Sequence, residues 1–164
     1  MNGAARVDAY IALGANLGDA QVALTAALAA LAGLPRTRVV RRSSIYRSAP
    51  IDSSGPDYLN AVAHVSTSLA AEELLAHLQA IELRHGRERP YPNAPRTLDL
   101  DLLLHGTETL DTPGLTLPHP RMHERAFVLL PLAEIAPDLH IPGRAAMSAL
   151  LSGVAGQRID KLGR

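Results

Sequence analysis

The sequence contains no cysteine. Disulfides, thiolate metal sites and a cysteine nucleophile are therefore excluded. Lysine is nearly absent as well: Lys161 stands alone against fifteen arginines. A Walker phosphate loop needs a lysine directly after a glycine, and no such pair occurs. A Schiff-base mechanism would have to use that one lysine near the C-terminus. Aromatics are sparse, with four tyrosines, one phenylalanine and no tryptophan, too few for a sheet that stacks RNA bases. Sixteen basic and sixteen acidic residues cancel, which argues against nucleic-acid binding by bulk charge. No apolar run reaches membrane-spanning length, and the opening MNGAARVDAYIALG lacks the make-up of a signal peptide. The expectation is a cytoplasmic protein with neither a membrane nor a nucleic-acid partner, its 164 residues forming one domain, 1–164.

What is present is most informative at residues 96–106, RTLDLDLLLHG. A run this short and apolar, ended by His105-Gly106, reads as a strand buried on at least one face. Side chains two apart share a face, so Asp99 and Asp101 fall on one side, with Leu98, Leu100, Leu102 and Leu104 on the other. Two carboxylates about 6 Å apart at an effective dielectric near 20 repel by roughly 3 kcal/mol. A cation, paired arginines, a shared proton or exposure to water would each offset that, and the pattern alone leaves these open.

Elsewhere, Val7–Leu13 reads as a strand closed by the turn Gly14–Gly18. That turn lacks the G-x-G-x-x-G spacing of a dinucleotide site. Asp19 is placed to cap a helix running to about Leu31, with Leu24, Leu28 and Leu31 on one face. Thr37–Tyr46 looks like one long strand, Ser48–Asp57 a loop, and Tyr58–Val65 a third strand. Residues 71–85 form a second helix with Leu74, Leu78 and Ile81 inward. Arg87–Pro95 is an arginine/proline loop that precedes the Asp-bearing strand. The order β-α-β-β-α-β is the ferredoxin-like arrangement, an α+β fold with an antiparallel sheet. From Leu115 onward the chain reads as loop and short helices packed on that core.

The candidate chemistry gathers around the aspartates in sequence. Arg84, Arg87, Arg89 and Arg96 precede them; His119, Arg121, His123 and Arg125 follow. Arginine forks neutralise phosphate charge, and hard Mg²⁺ prefers one or two carboxylates plus phosphate oxygens, so this constellation fits a magnesium polyphosphate. His119 and His123 have the spacing of a zinc helix, but the glutamate of H-E-x-x-H is missing and Pro120 suits a helix start. Glu82 lies in the last turn of its helix, where the macrodipole disfavours an anion. It is a surface carboxylate, an arginine partner or a nucleotide contact. Tyr58 and Asn60 alternate onto one face of their strand, and with Phe127 they either pack the core or hold a flat heterocycle with hydrogen-bonding edges.

The segments YIALGANLGD, SSIYRSAP…PDYLNAV, IELRHGRER, APRTLDLDLLLHG and LPHPRMHERAFVLLPLAEIAPDL, in this order from residue 10 to 139, resemble the 6-hydroxymethyl-7,8-dihydropterin pyrophosphokinase family of folate synthesis. The resemblance implies transfer of the β,γ-pyrophosphoryl group of ATP to the pterin hydroxymethyl oxygen, with release of AMP. It implies that Asp99 and Asp101 hold two Mg²⁺ ions, and that Tyr58 and Phe127 sandwich the pterin while Asn60 and the backbone of Ser48, Ala49 and Ile51 read its edge. Gln79, Glu82, Arg87, Arg89, Arg96, Leu102, Thr116, His119 and Arg125 match positions that contact ATP or assist catalysis, with Arg87 and Arg96 stabilising charge in the transition state. This sequence departs from the pattern at Asn93-Ala94, where a tryptophan and glycine can precede Pro-Arg, at Gly114 in place of an arginine, and at Pro120 in place of an aromatic. Tyr91 is placed to supply the missing aromatic cover. The implied protein is a monofunctional monomer with loops 87–95 and 48–57 as lids. Its rivals are a nucleotidyltransferase, which would release pyrophosphate, and a ferredoxin-like binding module without turnover.

Overall fold

The computed structural model describes residues 5–16, 20–49, 57–85 and 98–162. Alternating apolar residues build β1 (Val7–Ala15), which Gly14 and Ala15 extend beyond the expected end at Leu13. Helix α1 (Ala20–Ala32) buries Leu24, Leu28 and Leu31 as its spacing predicts; its expected cap, Asp19, lies outside the described residues. Two strands follow, β2 (Thr37–Arg42) and β3 (Tyr46–Ser48), then the long β4 (Tyr58–Thr67). Helix α2 (Ala71–Arg84) opens with Glu73 accepting the Ala70 N–H at 2.8 Å, half of a capping box. The Asp-bearing strand is β5 (Asp99–His105).

These elements pair in the order β5-β1-β4, with β2 and then β3 along the far side of β4, and every pair is antiparallel. The expected βαββαβ core is therefore present. Helices α1 and α2 cover one face through a core that includes Ile11, Leu13, Val65 and Leu78. The rest of the chain contributes a small hairpin, β6 (Leu110–Thr112) with β7 (Leu115–Leu117), a 3-10 turn at Met122–Glu124, and helices α3 (Ala126–Ile135) and α4 (Met147–Gly153). Helices α3 and α4 cover the second sheet face, packing on Tyr10, Val62, Leu103 and Leu104. None of the described helices is long and apolar enough to cross a membrane.

Three expectations require correction. Thr37–Tyr46 is not one strand. Ser43 donates its N–H to the Val62 carbonyl, but its Oγ accepts the Val62 N–H, both at 2.9 Å. A side chain thus replaces one rung of the ladder, and Ser44 turns outward to donate to Glu134. Leu104 does not share the face of Leu98, Leu100 and Leu102. Ile11 pairs with Leu102 and Tyr10 with Leu104, so Leu103 is an extra residue. Such a bulge reverses the alternation, and Leu104 joins Leu103 in the second core. The region after Leu115 also holds strands: β7 pairs with β6, and a terminal β8 (Ile159–Lys161) extends the sheet beyond β3. At three residues each, they are too short to show a period.

Candidate active site

Cross-strand register fixes which side chains meet. Gly14 of β1 lies between Asn60 of β4 and Asp99 of β5, while Ala12 lies between Val62 and Asp101. On the outer side of β4, Ser48 pairs with Tyr58. Directly paired residues share a face, so Asp99, Asp101, Asn60, Tyr58 and Ser48 all project from the face that carries α3. There they line a cavity of about 210 Å³, closed on one side by Arg125, Phe127 and Val128 at the start of α3. Ala12 and Gly14 contribute to its floor. Gly14, expected in a tight turn, is a strand residue here, and sequence reasoning did not place it in a site.

Asn60 is buried and donates from Nδ2 to Ser48 Oγ at 2.8 Å. The Arg125 guanidinium lies over the Phe127 ring, 5.5 Å from its centroid, within cation–π range. His119 is half-buried and its backbone N–H donates to the Leu103 carbonyl at 2.9 Å. Burial holds the His119 imidazole below its ordinary pKa, against the pull of Asp101 and with the help of Arg125 and Arg121. Its Nδ1 accepts the Arg121 N–H at 3.2 Å. The neutral ring therefore carries its proton on Nε2, a donor for an anionic ligand.

Asp99 is half-buried and Asp101 exposed. Two hard oxygen donors side by side at a cavity mouth suit Mg²⁺. Among the described residues no group of three or more His, Cys, Asp or Glu side chains gathers for a metal.

Of the residues implied for the pterin, Ser48, Ala49, Tyr58, Asn60 and Phe127 meet in the cavity with both aspartates; Ile51 lies outside the described residues. Of those implied for ATP, Arg125 lines the cavity. Of the others, those among the described residues lie on or beside β5. Gln79 and Glu82 are on α2, and Thr116 is on β7; both elements contact β5. Leu102 is buried in the core beneath the helices, on the face opposite the aspartates. Glu82 is not a surface carboxylate: it is 5% exposed and accepts the Leu100 N–H at 2.7 Å. Arg87, Arg89 and Arg96 lie outside the described residues, as do Tyr91, Asn93 and Ala94.

Sequence reasoning also missed Glu134. Its carboxylate accepts the Tyr46 hydroxyl at 2.7 Å, the Ser44 hydroxyl at 2.8 Å and the Ser44 N–H at 3.1 Å. The glutamate pins the break between β2 and β3 to α3, the helix that closes the cavity. A carboxylate within an apolar helix, AFVLLPLAEI, was the available signal.

Residues 10–137 match the model of the 7,8-dihydro-6-hydroxymethylpterin-pyrophosphokinase (HPPK) family. A 2-amino-4-hydroxy-6-hydroxymethyldihydropteridine pyrophosphokinase of Pseudomonas aeruginosa is 46% identical over 93% of this chain and 95% of its own. One of the same name from Haemophilus influenzae is 45% identical over 95% of this chain and 98% of its own. The fold superposes on the crystal structure of wild-type Plasmodium falciparum HPPK-DHPS with a TM-score of 0.72 at 13% identity, covering 92% of this chain and 41% of that longer one. Matching extent, identity and fold together, the chain belongs to the HPPK family.

Proposed function

We propose that the ATP-to-pterin pyrophosphoryl transfer of this family takes place at the mouth of the 210 Å³ cavity, with the pterin inside it and the nucleotide across the outer edge of β5. The observation that carries this reading is the meeting of five pterin-implied residues and both aspartates around one cavity. Its lining offers both flat apolar faces and polar edges, as a small bicyclic heterocycle requires. Tyr58 and Phe127 offer π faces, while buried Asn60 and Ser48 offer polar edges that select a hydrogen-bonding heterocycle over a plain aromatic.

In the reaction the pterin hydroxymethyl oxygen bonds to the β-phosphorus, the bond from that phosphorus to the α,β-bridging oxygen breaks, and AMP leaves. Asp99 and Asp101 would hold two Mg²⁺ ions, which when bound neutralise polyphosphate charge and polarise its oxygens. The protein's own residues supply orientation and cationic character. His119 donates from Nε2, and Arg125 reaches the same mouth from the start of α3. By the family resemblance Arg87, Arg89 and Arg96 add positive charge, Arg87 and Arg96 stabilising the charge that develops on the transferred group. No side-chain nucleophile is needed, because positioning and electrostatics carry a transfer of this kind. The protein acts as a monomer in the cytoplasm. Arg38, Arg41 and Arg42 along β2 support the monomer, since like charges on an edge strand oppose edge-to-edge pairing.

The test is AMP release from ATP and Mg²⁺ with and without 6-hydroxymethyl-7,8-dihydropterin, beside Asp99→Ala and Asp101→Ala. Pterin-dependent AMP that collapses in both variants is the expected result. Pyrophosphate in place of AMP would identify a nucleotidyltransferase. No turnover from a folded, ATP-binding wild type would leave the binding-module reading.

A further inference from the structure

We propose that Glu82 is a positioning residue for Asp99 and Asp101, acting through the backbone N–H of Leu100, the residue between them. The inference rests on the reading that those two aspartates hold the divalent cations.

Among the described residues, strand β5 is the outermost strand on its side of the sheet and pairs with β1 alone. Its outward-facing backbone groups therefore find partners elsewhere. Near its far end the Leu103 carbonyl accepts the His119 N–H at 2.9 Å. Near the aspartates the contact is Glu82 Oε2 on the Leu100 N–H at 2.7 Å.

That contact is an expensive one to build. Glu82 is 5% exposed and sits in the last turn of α2, where desolvation and the helix macrodipole both work against an anion. A short charge-assisted hydrogen bond recovers part of that cost. The benefit falls on the strand. Two like charges on one face push apart, and an edge strand held from one side yields to that push. Fixing the peptide between them keeps both carboxylates converged on the cavity mouth before any cation arrives. Glu82 is absent from the cavity lining, so it acts on the cations through the strand.

Three substitutions separate this role from the alternatives. Glu82→Gln keeps an acceptor at the same reach and removes the charge. Glu82→Asp keeps the charge and withdraws it from Leu100. Glu82→Ala removes both. Mg²⁺ affinity is read by calorimetric titration of protein saturated with a non-hydrolysable ATP analogue, and nucleotide affinity is read separately with AMP in metal-free buffer. Loss of a group that orients metal ligands costs about 10- to 100-fold in metal affinity. That loss is expected in Glu82→Ala and Glu82→Asp, with Glu82→Gln close to wild type and AMP affinity unchanged in all three. Should Glu82→Ala fail to fold, the Gln and Asp variants still decide: a role for the charge reverses their order and overturns the proposal. Equal losses of AMP and Mg²⁺ affinity would overturn it as well, making Glu82 a nucleotide contact. Asp99→Ala is the control. If it loses Mg²⁺ affinity and Glu82→Ala does not, only the positioning role fails; if Asp99→Ala keeps it, the metal assignment fails first.

Discussion

The Asn60 amide donates to Ser48 Oγ at 2.8 Å across the β3–β4 pair, with Asn60 4% and Ser48 8% exposed. The bond fixes which end of the amide faces the cavity, because the NH₂ group is committed to the serine. It also leaves the Ser48 hydroxyl proton free to donate.

Ser48→Ala should therefore have two separable effects. It strands a buried N–H, which costs about 1–3 kcal/mol of stability. It also lets the amide rotate, so the pterin KM rises while the affinity for AMP stays at the wild-type value. Urea unfolding checks the first effect, and a KM-against-kcat split checks the second. An unchanged pterin KM would show that Asn60 does not need this brace.

Much of this site was legible because it obeys strict two-residue alternation. Asp99 and Asp101, and Tyr58 and Asn60, each fall on a common face for that reason alone, and the antiparallel register then brings the pairs together. What lay hidden depends on partners distant in sequence. Nothing local marks Leu103 as the extra residue of a bulge, since leucine flanks it on both sides. Ser43 breaks its strand only because its hydroxyl accepts the Val62 N–H. Glu82 seemed misplaced at a helix end until the Leu100 N–H appeared beside it. The short β8 is defined by its pairing with β3.

The Tyr46–Glu134 pair sets both ends of a pH window for stability. Burial raises the Glu134 pKa, but hydrogen bonds from Tyr46 and Ser44 and the charge of Lys161 outweigh it and hold the carboxyl below its ordinary 4.5. A group depressed on folding stabilises above its unfolded pKa and loses that contribution as pH falls through the folded one. Burial, then the hydrogen bond and charge of Glu134, push the Tyr46 hydroxyl above its ordinary 10.0. A group raised on folding stabilises fully below its unfolded pKa and is lost as pH rises. Glu134→Gln should flatten the fall in urea midpoint below pH 4.5, and Tyr46→Phe the fall above pH 10. Acid and alkaline limbs identical to wild type in both variants would remove the pair from the pH response.

Gly14 offers a test of the cavity that leaves its polar groups untouched. A Cβ built at Gly14 lies 3.5 Å from Asn60 Oδ1 and 3.9 Å from the Leu59 carbonyl, ordinary contact distances. Gly14→Ala should fold normally, and restricting the unfolded chain gives it about 0.4–1 kcal/mol of added stability. The methyl group takes space from the cavity floor between Asn60 and Asp99, so pterin affinity falls modestly. Gly14→Val keeps strand propensity and fills that floor, so pterin binding is lost while AMP binding survives. Thermal unfolding together with separate titrations of pterin and AMP measures each part. A Val variant that is stable and still binds pterin at wild-type affinity would mean that the ring lies elsewhere, and the register linking Asn60, Gly14 and Asp99 would no longer mark the substrate site.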